Sequence, residues 1–237
     1  MAVALLPLLL VAAPVSIAET SRDLAFSYRW SSEAEAIPAL SRRFRADAAS
    51  ERKRMLGLAK AEKAFRAEAK LDWNGLDFRR EWKTMGQSAR LLSLLGSVSA
   101  YTGGAHSNSG TKALLWDRRL GKELTIAALL RPGMSWDGAI RQPYCVLLDR
   151  ERTRRRQQPV VRGDWAGACP ALKELSLALS DKDRDGLLDH VLVTADPYVA
   201  GSYAEGAYAI ELPLTATMLG RLKTEYRSGF EPQPPVQ

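Results

Sequence analysis

The stretch Arg90-Leu-Leu-Ser-Leu-Leu-Gly-Ser-Val-Ser-Ala-Tyr101, followed by Thr-Gly-Gly-Ala-His-Ser-Asn-Ser-Gly110, decides how the chain is organised. Its first part is rich in leucine and small residues, and it predicts a buried strand that ends at Tyr101. The adjacent glycines Gly103 and Gly104 permit backbone angles that other residues avoid, so a turn follows the strand. Thr111–Trp116 then predicts another strand. We interpret the glycine turn as the junction between two domains.

The same turn is the first candidate binding site, because it sets aromatic and polar side chains beside flexible backbone. One of the two histidines in the chain lies in it. A histidine in such a turn has either a structural or a ligand-contacting role, and the residues alone leave both open. The candidate contacts are Tyr101, Gly103, Gly104, His106 and Asn108.

The rest of the chain predicts an α+β fold with mostly antiparallel sheets. Leu24–Trp30 alternates apolar and polar residues and predicts a strand. The Ala-, Arg-, Glu- and Lys-rich segment up to about Lys70 predicts one long N-terminal helix, and residues 136–157 predict a second, mid-chain helix. The shorter apolar stretches after residue 170 predict further strands, and Leu214–Tyr226 predicts a last helix.

The N-terminal residues 1–18 predict a signal peptide, because they are uncharged and almost entirely apolar. Ser16 and Ala18 occupy the −3 and −1 positions of a small-x-small cleavage site, so we expect a cut after Ala18. The Pro-rich residues 228–237 predict a disordered tail. No later stretch is long and apolar enough for a transmembrane anchor, so we expect a periplasmic or secreted protein.

The charge of the chain favours anionic partners. It carries 34 Lys and Arg against 27 Asp and Glu, a net charge of +7. The positive charge of a basic exported protein would favour binding to anionic polymers, anionic lipid surfaces or acidic proteins. No nucleic acid is expected as a partner, because no zinc spacing or known nucleic-acid motif accompanies the charge. The arginine-rich segment 150–156 predicts either a solvated helix end or a contact for an anionic ligand.

The two cysteines, Cys145 and Cys169, predict a disulfide in an oxidising compartment. Closing a loop of about 25 residues would stabilise the fold by on the order of 3 kcal/mol, through restriction of the unfolded chain. Two separate buried thiols are the alternative.

The segment Asp181-Lys-Asp-Arg-Asp-Gly-Leu-Leu-Asp189 is a candidate calcium loop. Calcium takes six to eight oxygen ligands, and carboxylates at alternate positions converge when a glycine turns the chain. The predicted ligands are the side chains of Asp181, Asp183, Asp185 and Asp189 and the carbonyl of Leu187. The position that carries the bidentate glutamate of an EF-hand is a leucine here, so the motif is incomplete. An Asp-Gly turn that needs no metal is an equal alternative.

No serine-hydrolase elbow, phosphate loop, dinucleotide fingerprint or HExxH motif occurs in the chain. The sequence therefore indicates a binding protein more than an enzyme. An envelope hydrolase that uses His106 with an acid such as Asp196 or Glu205 is the enzymatic alternative.

Four segments together resemble the exported region of the RsiV anti-sigma factors and the N-terminal region of the PdaC deacetylases. They are Tyr101-Thr-Gly-Gly-Ala-His106, Asp117–Leu130 with Gly121-Lys-Glu-Leu-Thr-Ile126 inside it, Asp196-Pro-Tyr-Val-Ala-Gly-Ser-Tyr-Ala-Glu-Gly206 and Tyr208-Ala-Ile-Glu-Leu-Pro213. The resemblance implies a PdaC-like domain over residues 24–110 and an RsiV C-terminal-like domain over residues 111–227. It adds Tyr198 and Tyr203 to the candidate binding residues.

What the resemblance implies for function is binding at the cell envelope. The RsiV relatives bind lysozyme as sensors, and the deacetylases carry this region beside a separate catalytic domain. This chain has neither a sigma-binding segment nor the metal-binding residues of a deacetylase domain, so signalling and deacetylation are not implied. We expect a non-enzymatic module for cell-wall glycan or for a muramidase. A calcium-stabilised structural protein is a further alternative.

Overall fold

The computed structural model describes residues 12–161, 163 and 165–235. These described residues form two sheets, each covered on one face by a helix. The α+β class and the largely antiparallel pairing that the sequence predicts are confirmed. No helix among the described residues is long and apolar enough to cross a membrane.

The first sheet has six strands that neighbour one another in chain order. They are β1 (Val15–Thr20), β2 (Leu24–Trp30), β3 (Leu76–Gln87), β4 (Leu91–Tyr101), β5 (Asn108–Asp117) and β6 (Lys122–Leu124). Strands β2 and β3 pair in parallel, because the long helix connects them, and every other pair is antiparallel.

The long helix covers one face of this sheet. A short helix α1 (Ser32–Glu35) leads into α2 (Pro38–Glu68), whose first residue is a proline with no backbone N–H to leave unpaired. Leu40, Phe44 and Met55 of α2 are buried against the aromatic residues of β2 and β3. Gly96 of β4 is required here, because the Trp82 ring lies 2.7 Å from where a Cβ would be. Phe65, near the C-terminal end of α2, is 60% exposed.

The second sheet is built from β7 (Ser176–Ser180), β8 (His190–Ala195) and β9 (Tyr208–Pro213), with β8 in the middle. Helix α3 (Asp137–Arg156) covers one face and buries Ile140, Tyr144 and Leu148. The predicted last helix is two short helices, α4 (Ala216–Leu219) and α5 (Thr224–Arg227). Gly220 lies between them.

The two sheets meet where β7 packs against β3, β4 and β5. A bulge between Thr84 and Gly86 bends β3 at this point, and the Asp181 N–H donates to the Met85 carbonyl at 3.2 Å. A Cβ on Gly86 would lie 2.6 Å from the Asp181 nitrogen, so glycine permits this close approach. The acidic loop is therefore anchored to the first sheet.

The glycine turn joins neighbouring strands of one sheet, so the interpretation as a domain junction is wrong for the turn itself. Strands β4 and β5 pair from Ala100 and Asn108 onward as an antiparallel hairpin. Strand β5 runs across the predicted boundary at 110 and 111, and the sheet continues to β6. The division of the chain at that point stays a prediction.

Parts of the predicted tail and of the predicted signal peptide belong to the residues that the structure describes. The prediction of disorder is wrong for residues 228–235, because Phe230 is buried and the Gln233 N–H donates to the Leu214 carbonyl at 2.9 Å. Residues 236–237 lie outside the described residues. Residues 1–11 of the predicted signal peptide also lie outside them, and its expected cleavage point after Ala18 falls within β1.

Candidate functional site

The candidate residues lie in the glycine turn between β4 and β5 and in two loops at opposite ends of strand β8. The acidic loop, residues 181–189, connects β7 to β8, and a second loop, residues 196–207, connects β8 to β9. Loops anchored on rigid strands commonly carry binding residues.

Three predicted binding residues meet in an aromatic corner, formed by His106, Tyr198 and Tyr203. The His106 ring stacks on the Tyr203 ring, with centroids 3.9 Å apart and planes 24° from parallel. The Tyr198 ring lies 5.7 Å from that of Tyr203 and is 59% exposed. The Tyr203 hydroxyl donates to the Ser107 carbonyl at 2.7 Å, which fixes the second loop to the glycine turn. Residues from two distant segments thus present aromatic surface to solvent.

Helix α2 holds the turn that carries His106. The Arg66 guanidinium donates to the Gly103 carbonyl at 2.5 Å and to Glu62 at 2.8 Å. Gly103 has φ +99°, and a Cβ there would lie 2.6 Å from the Glu62 carboxylate. Only glycine fits this conformation and this contact, so the role of Gly103 is to shape the turn.

The arginine-rich end of α3 holds the second loop. Buried Arg152 donates to the Ala200 carbonyl at 2.9 Å and the Ala168 carbonyl at 2.8 Å. Arg155 donates to the Glu205 carbonyl at 2.8 Å, and Arg156 to the Glu205 carboxylate at 2.8 Å. These three arginines are neither a solvated helix end nor a free anion site, because their guanidinium groups position the loop that carries Tyr198 and Tyr203.

Two carboxylates near the corner are engaged in fixing the loop. Glu205 accepts from Arg156 and in a short hydrogen bond from Tyr208. Partial burial acts to raise the pKa of Glu205, but these donors outweigh it and lower the pKa to about 2. Asp196 accepts from the Thr111 N–H at 2.9 Å and the Thr111 hydroxyl at 2.8 Å. Neither acid is placed as a partner for His106, whose Nδ1 donates to the Ser107 carbonyl at 2.9 Å.

The other predicted contacts in the turn lie beside the corner. Tyr101 is half-buried at the end of β4 and pairs in register with Asp77 of β3. Gly104 is exposed and has open space around it. Asn108 is exposed at the start of β5. Among the described residues, the side chains of Tyr101 and Asn108 make no hydrogen bond.

The acidic loop folds around its own backbone N–H groups. The Asp181 carboxylate accepts from the Gly186 N–H at 3.1 Å, and the Asp185 carboxylate accepts from the Leu187 N–H at 2.8 Å. Buried Asp189 accepts from the Lys182 N–H at 3.1 Å and lies 3.0 Å from His190 Nδ1. Carboxylate oxygens of Asp181, Asp183 and Asp185 lie within 4.8 Å of one another.

The tail brings a carboxylate that sequence reasoning missed. Glu231 approaches Asp183 and Asp189 so that one oxygen of each lies within 4.8 Å of the others. Partial desolvation and the negative charges of Asp185, Asp183 and Asp189 raise the pKa of Glu231. The Glu231 N–H donates to the Leu188 carbonyl at 3.2 Å, which holds the tail beside the loop. Nothing in the Pro-rich tail sequence indicated this docking.

The predicted disulfide between Cys145 and Cys169 is formed. It ties α3 to the segment before β7, next to the Ala168 carbonyl that Arg152 holds. The same helix therefore holds this segment by a covalent bond and the 196–207 loop by hydrogen bonds.

Comparison with solved structures identifies the fold. A DUF3298 family protein from Pseudomonas aeruginosa PAO1 superposes with a TM-score of 0.53 and 15% identity, over 95% of this chain and 98% of that one. A DUF3298 family member from Bacteroides fragilis NCTC 9343 gives 0.56 and 14%, over 92% and 98%. This chain has the fold of DUF3298 family proteins. No protein-family model and no curated protein matches the sequence.

These neighbours agree with the resemblance at the level of fold, because DUF3298 is related to the PdaC-like and RsiV-like domains. At such low identity they carry over architecture but no residue role.

Proposed function

We propose that this chain is an exported, non-enzymatic module that binds peptidoglycan-related glycan at the cell envelope through the aromatic corner. The observation that carries the proposal is the stacking of His106 on Tyr203 with exposed Tyr198 beside them. Exposed rings that are rigidly held offer flat apolar surface at little conformational cost, which suits the apolar faces of sugar rings.

Charge supports glycan over a muramidase as the ligand. The chain carries a net charge of +7, so it would repel a basic lysozyme-like protein during association. The disulfide supports a periplasmic or secreted location, because disulfides persist in oxidising compartments. A binding role is also favoured over the hydrolase because Asp196 and Glu205 are both engaged in loop contacts.

The test is a pull-down of the purified protein on isolated sacculi. We expect Tyr198→Ala and His106→Ala to bind weakly, since each removes a ring of the corner. Phe65→Ala is the matched control, because Phe65 is 60% exposed and Tyr198 is 59% exposed. Retention of the unsubstituted protein equal to that of Tyr198→Ala would contradict the proposal. Turnover of muropeptides that is lost in His106→Ala would favour the hydrolase instead.

The N-terminus of the exported protein tests the predicted cleavage. A cut after Ala18 would remove Val15 to Ala18, four of the six residues of β1. Mass spectrometry of the mature protein would show Glu19 as its first residue. An N-terminus upstream of Val15 would place the cut elsewhere and leave β1 whole.

As a second candidate function, we propose that the acidic loop binds calcium. One observation favours the ion over a metal-free turn: the Asp181 Oδ1 atom is buried without a hydrogen-bond partner among the described residues. One carboxylate oxygen each of Asp181, Asp183 and Asp185 lie within 4.8 Å of one another, and Asp183 also forms such a group with Asp189 and Glu231. The Leu187 carbonyl remains a predicted ligand. Isothermal titration with calcium, with Asp183→Asn as the comparison, tests this site. An absence of calcium-dependent heat would remove it.

A further inference from the structure

The open face of the first sheet carries two rows of side chains that no helix covers. Helix α2 packs on the opposite face. Paired positions on β2 to β5 make one row of Ser27, Arg79, Ser99 and Ser109 and a neighbouring row of Arg29, Glu81, Ser97 and Thr111. A solvated sheet face commonly carries long polar side chains, but serine occupies half of these eight positions.

A cleft of about 500 Å³, which we name the polar cleft, lies between these rows and the 196–207 loop. Asp196, Pro197 and Ala207 form its far wall. The Asp196 contacts with Thr111 fix that wall to β5. The cleft reaches Ser109, two residues after the Ser107 carbonyl that holds Tyr203, so it opens beside the aromatic corner.

The cleft offers hydrogen-bonding groups that the protein itself does not use. The hydroxyls of Ser27, Ser97, Ser99 and Ser109 make no hydrogen bond to any described residue. Arg29 is exposed and has no carboxylate partner within the described chain. The neighbouring charges are engaged, since Arg79 pairs with Asp77 at 3.2 Å and Glu81 with Lys83 at 3.3 Å. Arg80, which also borders the cleft, pairs with Asp47 at 2.7 Å.

We propose that the polar cleft binds a carboxylate-bearing sugar of an envelope glycan, with Arg29 as the carboxylate contact. This inference rests on the proposed function, since the aromatic corner holds a neighbouring sugar of the same chain. Serine hydroxyls both donate and accept, so they match the hydroxyl and acetamido groups of a sugar. A guanidinium matches a carboxylate with two parallel hydrogen bonds. The cleft thereby selects acidic over neutral glycan.

The test compares two disaccharides by isothermal titration with the full chain. GlcNAc–MurNAc carries a carboxylate, and chitobiose, which is GlcNAc–GlcNAc, lacks one. We expect tighter binding of GlcNAc–MurNAc and a loss of about tenfold for that sugar alone in Arg29→Ala, as for a hydrogen bond to a charged group. Ser99→Leu, which fills the cleft floor, is expected to weaken both sugars. Arg42→Ala, which removes an exposed charge from α2, is the matched control.

The outcomes separate this inference from the proposed function. Equal affinity for the two sugars, or an unchanged preference in Arg29→Ala, overturns the polar cleft. If Tyr198→Ala weakens binding at the same time, the proposed function of the aromatic corner is retained and only the proposal for the polar cleft is overturned. If neither disaccharide binds but sacculi still retain the protein through Tyr198, the cleft is again overturned and the proposed function remains. Unchanged melting temperatures of the variants show that each one is folded.

Discussion

The acidic loop and the aromatic corner lie at opposite ends of β8, but they are held in different ways. The loop that carries Tyr198 and Tyr203 is fixed from outside, by arginines of α3 and by the hydroxyl of Tyr203. The acidic loop is fixed largely by its own backbone N–H groups, and its carboxylates face one another. The 196–207 loop has its hydrogen bonds formed without a ligand. The acidic loop, in contrast, carries negative charge that a cation would compensate.

This difference separates two ways of building a binding loop. An externally clamped loop presents a preformed surface, so a ligand need not supply the free energy of ordering it. A loop of mutually repelling carboxylates gains stability when a cation binds. Four experiments test this contrast, from the largest expected effect to the smallest.

The external clamp is the set of hydrogen bonds from Arg152, Arg155 and Arg156 of α3 to the 196–207 loop. Replacing Arg152 by methionine breaks part of it. The buried guanidinium donates to two carbonyls, Ala200 and Ala168, and to Asp149 at 3.2 Å. We expect a loss of about 3 to 5 kcal/mol in the free energy of unfolding, because the variant leaves buried carbonyls unpaired. Chemical denaturation measures it. Arg154→Met, which removes an exposed partner of Glu151, is the control. An equal loss in both variants would contradict a specific contribution from the buried Arg152 contacts.

Reducing the disulfide loosens the same region by another route. Cys145 and Cys169 are 24 residues apart in sequence, so the bond contributes on the order of 3 kcal/mol by restricting the unfolded chain. Thermal unfolding with and without a reductant measures the change. A Cys145→Ser, Cys169→Ser double variant that melts at the same temperature as the oxidised protein would contradict it.

Acid tests the part of the clamp that depends on Glu205. Its pKa is about 2 in the folded chain against an ordinary value of 4.5, so its contribution is present above pH 4.5 and is lost as the pH falls toward 2. We expect Glu205→Gln to cost about 2 kcal/mol at pH 6 and almost nothing at pH 2, allowing for partial exposure of the group. Melting curves of both proteins across this range decide it. A pH-independent difference would rule out an ionised Glu205 as the cause.

Calcium tests the acidic loop, whose carboxylates repel one another. With millimolar affinity, 10 mM calcium would stabilise the fold by about 1.4 kcal/mol. We expect a higher melting temperature in calcium than in chelator, and no such difference for Asp183→Asn. The aromatic corner should show the opposite behaviour, with its ligand binding unaffected by chelator. A melting temperature that ignores calcium would leave a metal-free turn as the explanation.

Local patterns explain what could be predicted from the sequence. Alternating apolar residues mark β2, and the helix-forming composition marks α2, because both signals depend on neighbours along the chain. The two cysteines and the alternating aspartates are also recognisable in the sequence, as a candidate disulfide and a candidate calcium loop. The arginines of α3 were ambiguous, because their partners Ala200 and Glu205 lie about 50 residues further along the chain.

The sequence by itself determined the α+β class, the long helix, the disulfide pair and the three segments that carry the candidate residues. Only the tertiary structure decided that His106 stacks on Tyr203 and that the tail brings Glu231 to the acidic loop. It also decided that the glycine turn is a hairpin within one sheet, with serines facing an open cleft. The physical reason is that hydrophobic periodicity reports which face of an element is buried, whereas these contacts depend on which distant segment is packed against it.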